Sequence, residues 1–143
     1  MKYAVEFYAR GHRNVKATHE STLEVTKDPY LTPRGDCIVA VASTKAAADL
    51  PLELKELLRS EGCRVRLVIE AGGLEESVVG FGSPKLALTD ERSMVFRKSS
   101  YVCPRTVMVG SDKAAAQLSR KLVEVLRDPL TMVKLRLEAW VEG

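Results

Sequence analysis

Long apolar runs, paired cysteine motifs and a surplus of one charge are all missing from this 143-residue chain, and each absence removes a class of function. The longest unbroken apolar stretch, Cys37 to Ala42, has six residues, against the roughly 18 that a membrane-crossing helix needs. The opening, Met1-Lys2-Tyr3-Ala4-Val5-Glu6, puts a carboxylate where a secretion signal would carry its apolar region. Three cysteines, Cys37, Cys63 and Cys103, are an odd number with no CxxC pair, which suggests neither a disulfide framework nor a thiolate zinc site. The expected compartment is the cytoplasm, with no membrane contact. Net charge is +3 and evenly spread: residues 1 to 71 hold 11 basic and 10 acidic side chains, residues 72 to 143 hold 11 and 9. Dedicated nucleic-acid binders concentrate their charge more than this.

What is present is a repeat. Val41 to Leu50, VASTKAAADL, returns as VGSDKAAAQL at Val109 to Leu118. The offset of 68 holds without a gap from Ile38 to Ala71 against Thr106 to Ala139, with 16 of the 34 positions identical. Upstream the offset becomes 71 and matches Gly11 to Arg34 with Gly82 to Arg105, including Gly11/Gly82, Tyr30/Tyr101, Pro33/Pro104 and Arg34/Arg105. The change of offset puts a three-residue insertion, Gly35-Asp36-Cys37, in the first half. The expected organisation is one domain, 1 to 143, built from repeats 1 to 71 and 72 to 143.

Aligned pairs sharpen the local reading. Val15/Leu86, Ala17/Leu88, Leu23/Met94 and Val25/Phe96 alternate with polar residues, as half-buried strands do. That makes residues 19 to 21 and 90 to 92 hairpin turns. Residues 37 to 43 and 105 to 110 are apolar on both faces and suit covered strands. Leu50, Leu54, Leu57 and Leu58, with Leu118, Leu122, Val125 and Leu126, form helical stripes. Thr44 and Asp112 stand where N-caps belong. Pro51 forces a short turn at 45 to 49 and a helical restart in the first half. Closing strands at 64 to 71 and 130 to 141, and opening ones at 3 to 9 and 77 to 81, complete about ten strands and two helices. The fold class is a β-rich α+β domain, an internally duplicated sandwich or barrel with pseudo-twofold symmetry.

The segments ARGHRNVKATHESTLEVTKDPYLTPRGDC and SMVFRKSSYVCPRTVMVGSDKAAAQL resemble a group of archaeal proteins termed a domain of unknown function, family three hundred and seventy-one. The resemblance covers nearly the whole chain. It implies a small archaeal protein with a jelly-roll-like duplicated fold, and it carries no catalytic residues across.

Any function therefore lies in the residues themselves. Each strand-to-helix junction carries Pro-Arg before the strand and Ser-x-Lys after it. At a helix N-terminus, with its unpaired N–H groups, Lys and Arg make a candidate anion site. The plainer account is ordinary caps and a solvated lysine. A Ser-Lys nucleophile pair is disfavoured, because residues two apart at a helix start do not face each other. Differences between the halves point to the first: His12 stands where the repeat has Ser83, His19 where it has Asp90, and Thr44 is neutral where Asp112 would occupy the site. The expected binding residues are Arg34, Ser43, Thr44 and Lys45. Candidates for proton transfer are His12, His19 and Asp36. The plainer reading of each histidine is a turn residue whose ring bonds locally. Cys37 reads as a small core hydrophobe. No close-spaced ligand pair suggests a metal, and no cofactor is implied.

The leading reading is thus a small anionic or phosphorylated ligand in the first repeat, with catalysis left open. A second reading uses the acid-free strip from Arg92 to Arg105, with Arg97, Lys98, Phe96 and Tyr101, for weak, salt-sensitive nucleic-acid binding; a charge-guarded strand edge explains that strip more simply. A third is a homo-oligomeric structural protein.

Overall fold

Alternation of apolar and charged residues runs longest in RVRLVIEA and MVKLRLEAW, and these become the two central strands of a sheet. The computed structural model describes residues 1–142. Eight strands form: β1 (Lys2–Arg10), β2 (Thr22–Thr26), β3 (Ile38–Ala40), β4 (Arg64–Ala71), β5 (Leu74–Phe81), β6 (Ser93–Arg97), β7 (Thr106–Met108) and β8 (Met132–Trp140). Two short helices, α1 (Leu52–Leu58) and α2 (Arg120–Leu126), follow 3-10 turns at Ala47–Asp49 and Ala115–Gln117. The chain is a β-rich α+β protein.

The strands make two four-stranded sheets. One runs β1-β8-β4-β5 and is antiparallel throughout. The other runs β3-β2-β6-β7, antiparallel between β2 and β6 and parallel at both flanks. In the first sheet the inward residues Phe7, Val65, Leu67, Ile69, Leu135 and Leu137 are buried, while their neighbours in sequence point to the sheet's other face. β2 is buried along its whole length, as is β6 up to Arg97, so both faces of these two strands are covered. One continuous buried cluster draws on both sheets and both helices.

The segments around Val15–Ala17 and Leu86–Leu88 are not strands, and residues 19–21 and 90–92 are not hairpin turns. Ala17 (φ 50) and Leu88 (φ 55) are left-handed, which interrupts an extended chain. The alternating apolar residues still point inward, as plugs and not as rungs. The second helix also does not run on from Asp112. The 3-10 turn ends at Gln117, and α2 restarts at Arg120 without any proline. The break thus belongs to the geometry of both halves, not to Pro51. β6 lies in the interior of its sheet, so the Arg92–Arg105 strip is not a strand edge.

Equivalent positions contact each other's halves. Gly11 and Gly82 lie against the carbonyls that end the opposite half's helix, Leu126 and Asp128 for the first and Leu58 for the second. His12 N–H donates to the Leu126 carbonyl at 2.9 Å, and Ser83 N–H to the Leu58 carbonyl at 2.9 Å. Helix carbonyls left open at a C-terminus are satisfied this way. Arg59 donates to the carbonyls of Leu86 and Ala87 at 2.7 and 2.6 Å, and Arg120 to that of Ala17 at 3.1 Å.

Candidate functional site

Of the expected first-half residues, Ser43 and Thr44 are engaged by the backbone, and Arg34 stands apart from the other three. Ser43 Oγ donates to the Lys45 carbonyl at 2.7 Å, and Ser111 Oγ does the same to Lys113 at 2.8 Å. Thr44 does not cap a helix; its Oγ1 accepts from Tyr8 N–H at 3.1 Å and ties the junction to β1. Asp112 accepts equally from Val79 N–H at 2.9 Å. The helices begin only at Leu52 and Arg120, so no helix start faces Thr44 or Asp112. Arg34 is exposed in the loop before β3, whereas Ser43, Thr44 and Lys45 follow its other end. Lys113 pairs with Glu76 at 3.0 Å. Lys45 stands close enough to Asp49 to help hold that carboxyl below its usual range, an effect due first to the hydrogen bond from Lys27.

The two histidines are turn acceptors. His12 Nδ1 accepts from Asn14 N–H at 3.0 Å, where Ser83 Oγ accepts from Lys85 N–H at 3.2 Å. His19 Nδ1 accepts from Ser21 and Thr22 N–H at 3.2 and 3.0 Å, where Asp90 accepts from Arg92 and Ser93 at 3.1 and 2.8 Å. His12 sits at the end of α2 and His19 at the start of β2. Asp36 meets His19 only through its backbone, its carbonyl accepting from His19 N–H at 3.2 Å. His12→Ser and His19→Asp should therefore fold with nearly wild-type stability, while His19→Ala should lose about 1 kcal/mol as a lost cap does. Urea denaturation checks this, and a large loss in His19→Asp would count against the turn role.

Hydrogen bonding also moves the insertion. Glu24 N–H donates to the Cys37 carbonyl at 2.8 Å and Val95 N–H to that of Arg105 at 2.8 Å, while Ala42 pairs with Asp28 as Gly110 does with Ser99. Cys37 is thus the counterpart of Arg105 and Gly35 that of Cys103. The extra residues fall between 29 and 34, not at Gly35-Asp36-Cys37.

That shift draws attention to a candidate site in the second half. The face of the β3-β2-β6-β7 sheet turned from the core is polar, with Thr22, Glu24, Thr26, Ser93 and Thr106 all buried. At its β6 end a hollow of about 300 Å3 is lined by Asp90, Arg97, Tyr101, Cys103, Pro104 and Arg105. Arg97 Nε donates to Thr106 Oγ1 at 3.1 Å and Nη2 to Cys103 Sγ at 3.3 Å. The Thr106 hydroxyl also lies 3.4 Å from the same sulfur. Burial pushes the Cys103 thiol up, but the hydrogen bonds from Thr106 and Arg97 and the Arg97 charge outweigh it and bring the pKa to about 7. Tyr101, exposed, lies over the Arg97 guanidinium at 4.9 Å. The Arg105 guanidinium lies 3.7 Å from the buried carboxylate of Glu24. The opposite holds for Cys37: burial, then the Glu24 charge and hydrogen bond, push its thiol up to about 12. A larger hollow, about 440 Å3 between Met1–Tyr3 and α1, sets Glu53 and Glu56 beside Lys2 and holds no guanidinium or thiol.

In the first half the corresponding positions are Thr26 for Arg97, Gly35 for Cys103 and Cys37 for Arg105, so no guanidinium or reactive thiol gathers there. The acid-free strip of residues 92 to 105 was the signal in the sequence. Phe96 is fully buried and does not present a stacking face. Among the described residues no group of three His, Cys, Asp or Glu side chains is placed to hold a metal, and no helix is long and apolar enough to cross a membrane.

The model of the family described as "Domain of unknown function (DUF371)" matches residues 7–140, which is the whole fold but for its ends. The chain belongs to this family. It is also 42% identical over 120 residues to the uncharacterized protein MJ0206 of Methanocaldococcus jannaschii, covering 84% of this chain and 88% of that one. Family membership therefore brings an archaeal relative and no activity.

Proposed function

We propose that the protein binds a small oxyanion, a phosphorylated or carboxylate ligand, in the hollow formed by Arg97, Tyr101, Cys103 and Arg105, with Cys103 as the nucleophile available for chemistry. One observation carries this reading: two guanidinium groups and a thiol that ionises near neutrality converge on a single concave surface. An ionisable group perturbed by a specific charge partner in a cleft marks a candidate functional site. A planar guanidinium suits an oxyanion because it offers paired N–H donors. The first-repeat set of Arg34, Ser43, Thr44 and Lys45 is the weaker anion site, since its hydroxyls already serve the backbone.

Inorganic phosphate should raise the melting temperature, because a ligand held only by the folded state stabilises it, by about 2.7 kcal/mol at a hundredfold excess over its dissociation constant. Arg97→Gln with Arg105→Gln should abolish the shift, and Lys45→Ala should leave it. Loss in Lys45→Ala with retention in the arginine variant would return the site to the first half.

We infer further that the halves are an ancient duplication arranged as a jelly-roll-like sandwich about a pseudo-twofold axis. The offsets of 71 and 68 recur in β2/β6, β3/β7 and α1/α2, and in left-handed residues Ala17/Leu88 and Ala42/Gly110. The exchange of helix caps between halves supports one domain rather than two. Three unpaired thiols fit a cytoplasmic setting.

A further inference from the structure

The outer face of the β1-β8-β4-β5 sheet carries an ordered set of cations and rings that the anion site does not use. Register puts Lys2, Trp140, Arg64 and Phe81 in one row across the four strands, and Ala4, Glu138, Arg66 and Val79 in the next. Arg136 follows beside Glu138 on β8. Alternation with the buried residues of each strand points all of these away from the core. The Arg64 guanidinium lies over the Phe81 ring at 4.9 Å and that of Arg66 over the Trp140 ring at 5.4 Å. Phe81 is 45% exposed, an uncommon state for a strand phenylalanine.

Charge at this end of the face is one-sided. Lys2, Arg64, Arg66 and Arg136 are four cations against two acids, Glu138 among them and Glu6 across from Arg136 at 3.6 Å, a difference of two. Glu138 is 6% exposed and lies 3.4, 3.5 and 3.8 Å from Lys2, Arg66 and Arg136. Its role is to hold the three cations in a fan from below while their outer sides stay solvated. Arg64 Nε is buried and has no acceptor among the described residues.

We propose that this end of the sheet is a platform for single-stranded nucleic acid. Guanidinium planes and aromatic rings give unpaired bases faces to stack on, and Lys2 and Arg64, neighbours of Trp140 in one row, are placed for phosphates. Adjacent strands lie about 4.8 Å apart, so a row of four spans roughly 15 Å, room for two or three nucleotides. A duplex hides its base faces, and a sheet of this kind inserts nothing into a groove, so single strands are favoured. This surface is separate from the Arg97–Cys103 hollow and stands or falls independently of it.

Trp140 is the chain's single tryptophan and reports directly. The full chain is titrated with a twelve-residue oligouridylate, following Trp140 fluorescence and the anisotropy of labelled oligonucleotide. Saturable quenching is expected, with log K falling by about 2 per decade of salt, as for three phosphates on a single strand. Arg64→Gln with Arg66→Gln should weaken binding at least tenfold while keeping the phosphate-induced thermal shift. Phe81→Leu, which keeps both charges, should weaken it several-fold and serves if the double variant folds poorly. Arg97→Gln with Lys98→Gln should leave binding intact. The proposal is overturned by absence of quenching, by equal binding of heparin or duplex, or by loss of binding only in the Arg97/Lys98 variant.

Discussion

Gly82→Ala is expected to cost about 3 kcal/mol, at the upper end of what overpacking does. A methyl group at Gly82 would press into the carbonyl of Leu58 and approach Cys63 Cβ at 3.2 Å. Neither neighbour is a flexible side-chain end. Moving this segment away also breaks the bonds from Gly82 N–H to the Cys63 carbonyl at 3.0 Å and from Ser83 N–H to Leu58 at 2.9 Å. The close approach of one half's turn to the other half's helix is thus lost, and that contact joins the halves. Gly73→Ala is the control. Its Cβ would meet nothing within 4 Å, and its left-handed φ of 79° costs only the roughly 1–2 kcal/mol of that conformation. Equilibrium urea unfolding separates them, and equal losses would mean that the turn does not abut the helix. Gly11→Ala should behave like Gly82→Ala, since it meets Leu126 and Asp128 in the same way.

The second large effect is on Cys103 reactivity. Alkylation by iodoacetamide should follow thiolate formation, with a midpoint near pH 7, because only the ionised sulfur attacks. Cys37, held near 12, and Cys63, raised chiefly by burial, should stay unmodified at pH 7. Arg97→Met or Thr106→Val should move the midpoint up toward the ordinary thiol value of about 8.5, slowing the reaction at pH 7 roughly tenfold. The stability effect has a definite sign. A thiol pKa lower in the folded than in the unfolded chain adds stability that is fully present above the unfolded value and is lost as pH falls through 7. The stability gap between wild type and Arg97→Met should therefore widen from pH 6 to pH 9. A gap that narrows, or a midpoint unchanged by both substitutions, would detach Arg97 and Thr106 from the sulfur.

Regular patterns were readable in the residues and strained or long-range ones were not. The alternation in Arg64–Ala71 and the Leu54, Leu57, Leu58 stripe appear in the structure where periodicity puts them, as β4 and α1. Val15 and Ala17 alternate just as well, but the left-handed turn at Ala17 leaves no mark in residue identity. Differences between the halves drew attention to His12 and His19 as chemical novelties. Their ring nitrogens instead replace the oxygens of Ser83 and Asp90 as turn acceptors, a substitution of one acceptor for another. Residue matching paired Arg34 with Arg105. The backbone pairs Arg105 with Cys37 and Cys103 with Gly35, so neither member of the second-half pair has a like residue in the first half. The Arg97–Cys103 contact spans six positions across a loop tied down by Ser99 and Gly110, and no periodicity encodes it.

The anion site is tested most directly by the alkylation rate of Cys103 at pH 7 with increasing inorganic phosphate at constant ionic strength, read by peptide mass mapping. Phosphate seated on Arg97 and Arg105 covers the sulfur, and its charge favours the protonated thiol. The predicted result is a saturable slowing at Cys103, absent in the Arg97→Gln/Arg105→Gln variant. A Cys103 rate that stays constant across the phosphate series would contradict the site.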